Sequence, residues 1–367
     1  MKVRLALTRM LPVWAVLAAL LLGMVLVALA GANPVSAYRE LMRGAFADLF
    51  GFATTLVKTT PLLFAGLGVA VALRAGLFNI GAEGQIYLGG LAAALVGLYV
   101  HGLPAILHIP LAMLAAFAGG GVWAFLPALL KVSRGVNEVI TTLLMNYVGI
   151  YLVSFIVGGP LIEPGAPYPY TRPLDPATNL PLLIPATDAH VGILIALGLA
   201  LLLHVLFART TLGFQLRAVG ANPSAAAYAG VHVNRTLILA MVMGGGLAGL
   251  GGASEVMGLK HRLFEGFSPG YGYDAVVVAF LSNGQPLGAV AMAFFFGALR
   301  SGANIMQRSV GIPVAIVFAI QGLAVLFLAA SLVVQRRSRA REPRQPWGAQ
   351  HIDVAKPAAE AVKHEPL

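Results

Sequence analysis

An all-α, polytopic membrane helix bundle is the fold class this sequence predicts, and three observations predict it. Hydrophobic residues make up 59% of the 367 and charged residues only 10%. A soluble domain carries about 25% charged residues, so this chain cannot cover itself with a water-compatible surface. Apolar runs of about 18 residues or more recur along the chain, each long enough to cross a bilayer, and they allow about ten spans. Lysine and arginine collect in alternate loops between those runs, as they do on the cytoplasmic side of membrane proteins.

Taken in order, the opening MKVRLALTRM and the run at 11–30 have the charge, apolar core and small-residue end of a signal peptide. The run is long for a signal and suits an uncleaved first span. Residues 33–60 are amphipathic, with Arg39, Glu40, Arg43 and Asp48, and read as a helix lying at the membrane surface. Spans follow at 61–77, 86–100, 110–130 and 139–157, the last carrying Thr141 and Asn146. The loop at 160–190 holds eight prolines and cannot continue a helix. A span at 191–207 leads through a polar loop at 208–235 to a glycine-rich span at 236–257. Two shorter segments, 273–281 and 287–299, flank SNGQP, and a last span occupies 312–334. Residues 1–334 thus form one membrane domain, and the charged, proline-rich tail at 335–367 is expected to be disordered.

Alternating from a cytoplasmic N-terminus puts Lys2, Arg4, Arg9, Arg74, Lys131, Arg134, Arg209, Arg217 and Arg235 inside, with the arginines of the tail. Fewer fall outside, so both termini are expected in the cytoplasm and the proline-rich loop outside. The net charge of +10 is accounted for by those loops, so no nucleic-acid partner is expected. The absence of cysteine excludes disulfides and thiol catalysis. The eight histidines show no metal-ligand spacing. No Gly-Lys pair occurs, so the chain has no P-loop of its own.

The octapeptide FNIGAEGQ at 78–85 sets Asn79, Glu83 and Gln85 between two apolar spans, with Gly81 and Gly84 able to break a helix. One reading is a cytoplasmic turn near Arg74. The other is a broken helix lining a cavity, the one place where irregular backbone is tolerated at membrane depth. FSPGYGYDAVVVAF offers a counterpart, with glycines and Asp274 before an apolar segment. Alternating topology with five spans per half would relate the two as an inverted repeat, the arrangement many transporters use around a midplane site. GGGLAGLGG at 244–252 matches the dinucleotide fingerprint but has no preceding strand, so close helix packing is its expected use. In the loop at 208–235, Asn222 reads as an N-cap, Pro223 as the first helical residue and Gly230 as the terminator. This short alanine-rich helix is oversized for a connector and reads as a docking knob for a cytoplasmic partner.

ALRAGLFNIGAEGQIYLGG, VNEVITTLLMNYVGIYL, LRAVGANPSAAAYAGV and GYGYDAVVVAFLSNGQPLGAV, followed by FFFGALRSG, occur in this order. Together they resemble the permease subunit of bacterial ABC importers for nucleosides and simple sugars, a group related to ribose and branched-chain amino acid permeases. The resemblance covers 61–334. It implies a permease of the cytoplasmic membrane that binds no cofactor and works by alternating access. A separate ABC ATPase hydrolyses ATP, a second, non-identical permease completes the pore, and an extracytoplasmic binding protein delivers solute. It implies an ATPase-coupling role for Arg217, Gly220, Asn222, Pro223, Ala226, Ala227, Tyr228 and Gly230. The blocks at 78–85 and 137–146 fall near the family's translocation path. The expected path residues are Asn79, Glu83, Gln85, Asn137, Thr141, Asn146, Asp274 and Asn283, the polar groups nearest the apolar segments. The rival reading is a stand-alone ion-coupled transporter using Glu83, Glu138, Glu255 and Asp274.

Overall fold

The computed structural model describes residues 20–313 throughout, with scattered positions at 14–18 and 315–331. The N-terminal basic segment and the tail lie outside the described residues, as do parts of the first and last expected spans. The described chain is helical, with two isolated antiparallel bridges and no named strand. Its helices are α1 (Leu20–Leu29), α2 (Pro34–Phe46), α3 (Leu49–Arg74), α4 (Ala82–Tyr99), α5 (Ala105–Arg134) and α6 (Glu138–Gly158). They continue with α7 (Gly192–Arg209), α8 (Thr211–Ala221), α9 (Pro223–Tyr228), α10 (Val233–Glu255), α11 (Tyr271–Leu281) and α12 (Pro286–Val310). Six of the described helices are long and apolar enough to cross a membrane, or seven if the bent pair α1–α2 counts as one span.

Three boundaries differ from the sequence reading. The stretch at 33–60 is not one surface helix. It breaks before Asp48, whose side chain caps α3 by accepting from Gly51 N–H at 2.6 Å. α2 turns 118° from α1 and buries Ala37, Leu41, Gly44 and Ala45 against α12, where the Ser301 hydroxyl donates to the Gly44 carbonyl at 3.2 Å. Pro61 does not begin a span; it sits inside α3. The Thr59 and Thr60 hydroxyls donate to the Thr55 and Leu56 carbonyls beside it, at 2.7 and 2.9 Å, in the neighbourhood where proline withdraws a backbone donor. Likewise α12 runs past residue 299 to Val310, which moves Arg300 from a loop onto a helix.

α10 is the hub, and its glycines explain why. Gly244 lies against the Gly68 carbonyl of α3, Gly249 against Gly89 of α4 and Ala116 of α5, and Gly252 against the Ile86 carbonyl. With no side chain in the way, the backbones come into direct contact, the packing that replaces hydrophobic driving force in lipid. α3 and α10 run antiparallel, since Pro61 faces Gly251 and Gly68 faces Gly244. Exchanging α3, α4 and α5 for α10, α11 and α12 preserves the packing pattern: α10 lies on α5 as α3 lies on α12, and α4 lies on α10 as α11 lies on α3. The two triplets thus pack as counterparts about the antiparallel α3–α10 pair, although α4 lies far more closely on α5 than α11 does on α12.

The proline-rich loop is extended and non-helical apart from one turn at Pro176–Thr178. It is laced to the segment between α10 and α11. Thr171 N–H donates to the Leu263 carbonyl at 3.0 Å, Leu174 N–H to His261 at 2.9 Å and Leu180 N–H to Met257 at 3.0 Å. Glu163 pairs with Arg262 at 3.0 Å. His190, 2% exposed, tucks its ring beneath Gly258 and Gly192 and accepts from Gly192 N–H at 3.2 Å.

Two predictions follow from this packing. Gly249→Val places branched carbon into the α5 backbone, an overpacking that costs about 1–3 kcal/mol or more. The variant should lose its monodisperse peak and melt lower in detergent, whereas Gly198→Val, with open space around it, should match wild type. Equal behaviour of the two would refute the seam. Burial, with His261 beside it, lowers the His190 pKa from 6.5 to about 4. The folded chain keeps that ring neutral while the unfolded chain protonates near 6.5, so its contribution to stability is complete above pH 6.5 and declines from there towards pH 4. Melting temperature should fall between pH 7.5 and 5, and His190→Gln should flatten that slope.

Candidate solute path and coupling site

α3 ends at Arg74, the chain turns through Gly76 at φ 81°, and α4 starts at Ala82. Between them lies a stretch of backbone without helical partners, and amide side chains supply the missing bonds. Asn79 and Gln85 exchange reciprocal amide hydrogen bonds at 3.0 and 3.1 Å, and Asn79 Oδ1 also accepts from Gly81 N–H at 2.9 Å. From α6, Asn146 accepts from Gly84 N–H and donates to the Ile80 carbonyl, both at 2.8 Å. Thr142, rather than Thr141, faces the break, accepting from Ile80 N–H at 3.3 Å. Trp123 of α5 donates to the Met145 carbonyl at 3.1 Å. Asn79, Gln85 and Asn146 are at most 1% exposed, so their side chains brace the break.

Glu83 sits one residue inside α4 and is 2% exposed. Its carboxylate accepts from Gly272 N–H, in the first turn of α11, at 2.6 Å. Gly272 has no room for a side chain there, because a Cβ would meet the Glu83 backbone. The two glycine-broken stretches therefore meet each other. The positive ends of two helices converge on one carboxylate, the partner such ends favour. α11 has 11 residues, about 16 Å at helical rise, too short to cross the roughly 30 Å hydrocarbon core.

Beside this crossing lies a cluster of charges around Tyr271. The Arg300 guanidinium carbon stands 4.9 Å from the ring centroid and Lys58 Nζ 5.8 Å. Arg300 grips Asp274 through two nitrogens at 2.7 and 2.8 Å. Glu255, 2% exposed, has Lys58 and Tyr271 as neighbours. Lys58, Tyr271 and Arg300 escaped the sequence reading because its spans began at 61 and 273 and ended at 299, leaving all three just outside them. Opposite charges at matching places in apolar stretches, Lys58 with Glu255 and Asp274 with Arg300, were the available signal.

The remaining expected path residues lie elsewhere. Asn137 caps α6 by accepting from Val139 N–H at 2.9 Å, and the Thr141 hydroxyl bonds to its own helix. Asn283, at φ 53°, lines a cavity of 440 Å³ with Arg74, Phe78, Arg217, Gly220 and Phe280. Of the four acids of the rival reading, Glu138 stands apart, paired with Lys131 at 2.8 Å, and Asp274 is matched by Arg300. Among the described residues no three acids or histidines could share a metal ion.

At the coupling segment Asn222 caps α9, its side chain accepting from Ala225 N–H at 3.0 Å, and Gly230 ends it at φ 83°. Pro223 occupies the first turn. Tyr228 is 95% exposed and Ala227 is exposed. Ala226 is only 4% exposed, so it packs inward and is not part of the outer face of the knob. The base of the knob is fixed: Arg217 donates to the Phe207 carbonyl, and Gly220 abuts the Arg74 carbonyl. Arg74 in turn donates to the Gly284 carbonyl at 2.8 Å.

Asn146→Leu should strip the break of two bonds, each worth about 0.5–1.5 kcal/mol, and leave a buried N–H and carbonyl unmatched. A lower melting temperature and lower yield are expected; Thr141→Val should stay within about 0.5 kcal/mol of wild type. Wild-type melting of Asn146→Leu would remove the bracing role.

Comparison with known proteins agrees with this architecture. The glucose ABC transporter permease protein of Haloferax volcanii is 37% identical over 335 residues, 89% of this chain and 88% of that protein. A guanosine ABC transporter permease protein of Bacillus subtilis is 35% identical over 330 residues, covering 88% and 94% of the two chains. A second guanosine permease protein of the same bacterium is 26% identical over 253 residues, 67% and 79%. No solved structure matches the chain. The model of the branched-chain amino acid transport system / permease component family matches residues 51–334, and this chain, a membrane permease that helps carry solute for an ABC importer, belongs to that family.

Proposed function

We propose that the chain carries a nucleoside, or a related simple sugar, across the bacterial cytoplasmic membrane by alternating access driven by a separate ATPase. The observation that carries this reading is the convergence of two reversed helix triplets, through their broken stretches, on Glu83. In transporters such midplane breaks in inverted repeats hold the solute site. Glu83 and Asp274 flank the path, Asn79, Gln85 and Asn146 hold its wall, and Asn137, Thr141 and Asn283 stand towards its cytoplasmic end. A neutral solute rich in donors and acceptors suits amides and compensated charges, and weak, multiple contacts let it leave.

ATP enters through the partner, since this sequence has no P-loop. Arg217, Gly220, Asn222, Pro223, Ala227, Tyr228 and Gly230 form the coupling element, with Ala226 as its inner packing. An extracytoplasmic binding protein delivers solute. A non-identical second permease completes the pore, a reading supported by the two guanosine permease proteins of one bacterium. Both termini face the cytoplasm and residues 160–190 face outward, following the lysine and arginine asymmetry.

Reconstituted with its ATPase, second permease and binding protein, the chain should import labelled guanosine only with ATP. Replacing the P-loop lysine of the ATPase should abolish uptake, and proton-driven uptake without ATP would defeat the proposal. Tyr228→Glu combined with Ala227→Arg should leave this subunit folded and stop uptake; normal uptake would remove this segment from coupling.

A further inference from the structure

Exposed tyrosines on a membrane helix need a reason. Tyrosine belongs at the membrane interface, where its hydroxyl meets water; at mid-depth an unmatched hydroxyl in hydrocarbon costs several kcal/mol by transfer data. Among the described residues, exposed tyrosines are Tyr99, Tyr147, Tyr151, Tyr168, Tyr228 and Tyr273. Tyr99 ends α4, Tyr168 lies in the proline-rich loop and Tyr228 is on α9, all positions where water is at hand. The other three are at mid-depth. Tyr147 stands at the middle of α6, 51% exposed, and Tyr151, one turn on, is 69% exposed. Tyr273, 37% exposed, follows Gly272, the residue bonded to Glu83.

These residues belong to one face. Positions four apart share a side of a helix, which aligns Tyr147 with Tyr151 on α6. Tyr273 of α11 has Glu83, Tyr147 and Asn146 among its polar neighbours. α7 exposes Leu194, Leu197, Leu201, Leu202 and Val205 with no tyrosine among them, whereas on α6 the two phenols stand among exposed Leu144, Val148 and Phe155. Aliphatic side chains suit hydrocarbon, whereas three phenols beside the crossing of two broken helices suit a polar passage.

We infer that Tyr147, Tyr151 and Tyr273 form the solute-contacting wall of the path, their rings taking the planar base of a nucleoside in passing. This rests on the importer reading above and relocates the contacts from the buried amides, which are engaged with backbone, to the phenols in front of them. Aromatic rings bind bases by their faces with little regard to sequence of donors and acceptors. That tolerance suits a permease, which must hold its cargo loosely. The hydroxyls supply transient partners for the base edge or for water accompanying it.

The test uses the complete importer in proteoliposomes, at saturating binding protein and guanosine, with photoactivatable 8-azidoguanosine as the direct probe. Wild-type uptake of guanosine tests the importer reading by itself. Given that uptake, Tyr147→Leu and Tyr273→Leu should each slow guanosine entry roughly fivefold or more, the size of lost base stacking, at unchanged complex yield. Phenylalanine at the same positions should restore most of the rate, and Leu201→Ala on α7 should have no effect. Azidoguanosine should label peptides of α6 or α11 in wild type and lose that label in the leucine variants. Wild-type uptake by the leucine variants, uptake that falls only in step with yield, or labelling confined to other helices would overturn the inference. If wild type imports glucose and not guanosine, base stacking is wrong as well.

Discussion

The hydrogen bond from Gly272 N–H to the Glu83 carboxylate is the constraint on which the rest of this architecture depends. It joins the two interrupted stretches, and each must be interrupted for the bond to exist. A continuous helix through 75–81 would carry Glu83 past α11. A side chain at Gly272 would push α11 off the α4 backbone. A carboxylate in an apolar bundle is expensive unless it is matched, and here two helix N-termini and a nearby guanidinium supply the match. The amides of Asn79, Gln85 and Asn146 then have a definite task, because an interrupted helix leaves backbone groups that lipid cannot satisfy.

The glycine seam of α10 makes that crossing reachable. Helices ordinarily pack 8–10 Å apart; glycine against glycine removes the side-chain layer and brings α3, α4 and α5 onto one axis. The seam along α10 is therefore backbone and small side chains, and its specificity lies in where the glycines fall. This is also why the GxGxxG match at 244–252 carries no nucleotide chemistry: the same freedom from side chains serves helix contact here.

Much of this was legible in the sequence, for identifiable reasons. Hydropathy exposes spans because lipid forbids open backbone, and the pairing of FNIGAEGQ with FSPGYGYD was visible as glycines and an acid before an apolar run. What escaped was set by contacts distant in sequence. Lys58 and Arg300 were placed outside the spans because Pro61 and Leu299 looked like span limits; only packing against Tyr271 and Asp274 shows why the helices continue. Thr142 and Thr141 are indistinguishable in composition, and helix phase decides which faces Ile80. Ala226 read as surface because its neighbours are small and polar, yet a six-residue helix must turn one side inward. The lacing of the proline-rich loop onto 257–265 left no local pattern at all.

Consider finally the rod formed by α3. Its 26 residues span about 39 Å at helical rise, and the contact between Pro61 and Gly251 falls near its middle. At its C-terminal end, the Arg74 carbonyl bears on Gly220 at the base of the α8–α9 segment. At its N-terminal end, Gly51 lies against Gly44 of α2 and its carbonyl accepts from Ser301 of α12. α3 has no break between Leu49 and Arg74, so a displacement imposed at either of these ends is carried as one stiff body to the other, across the full depth of the bundle.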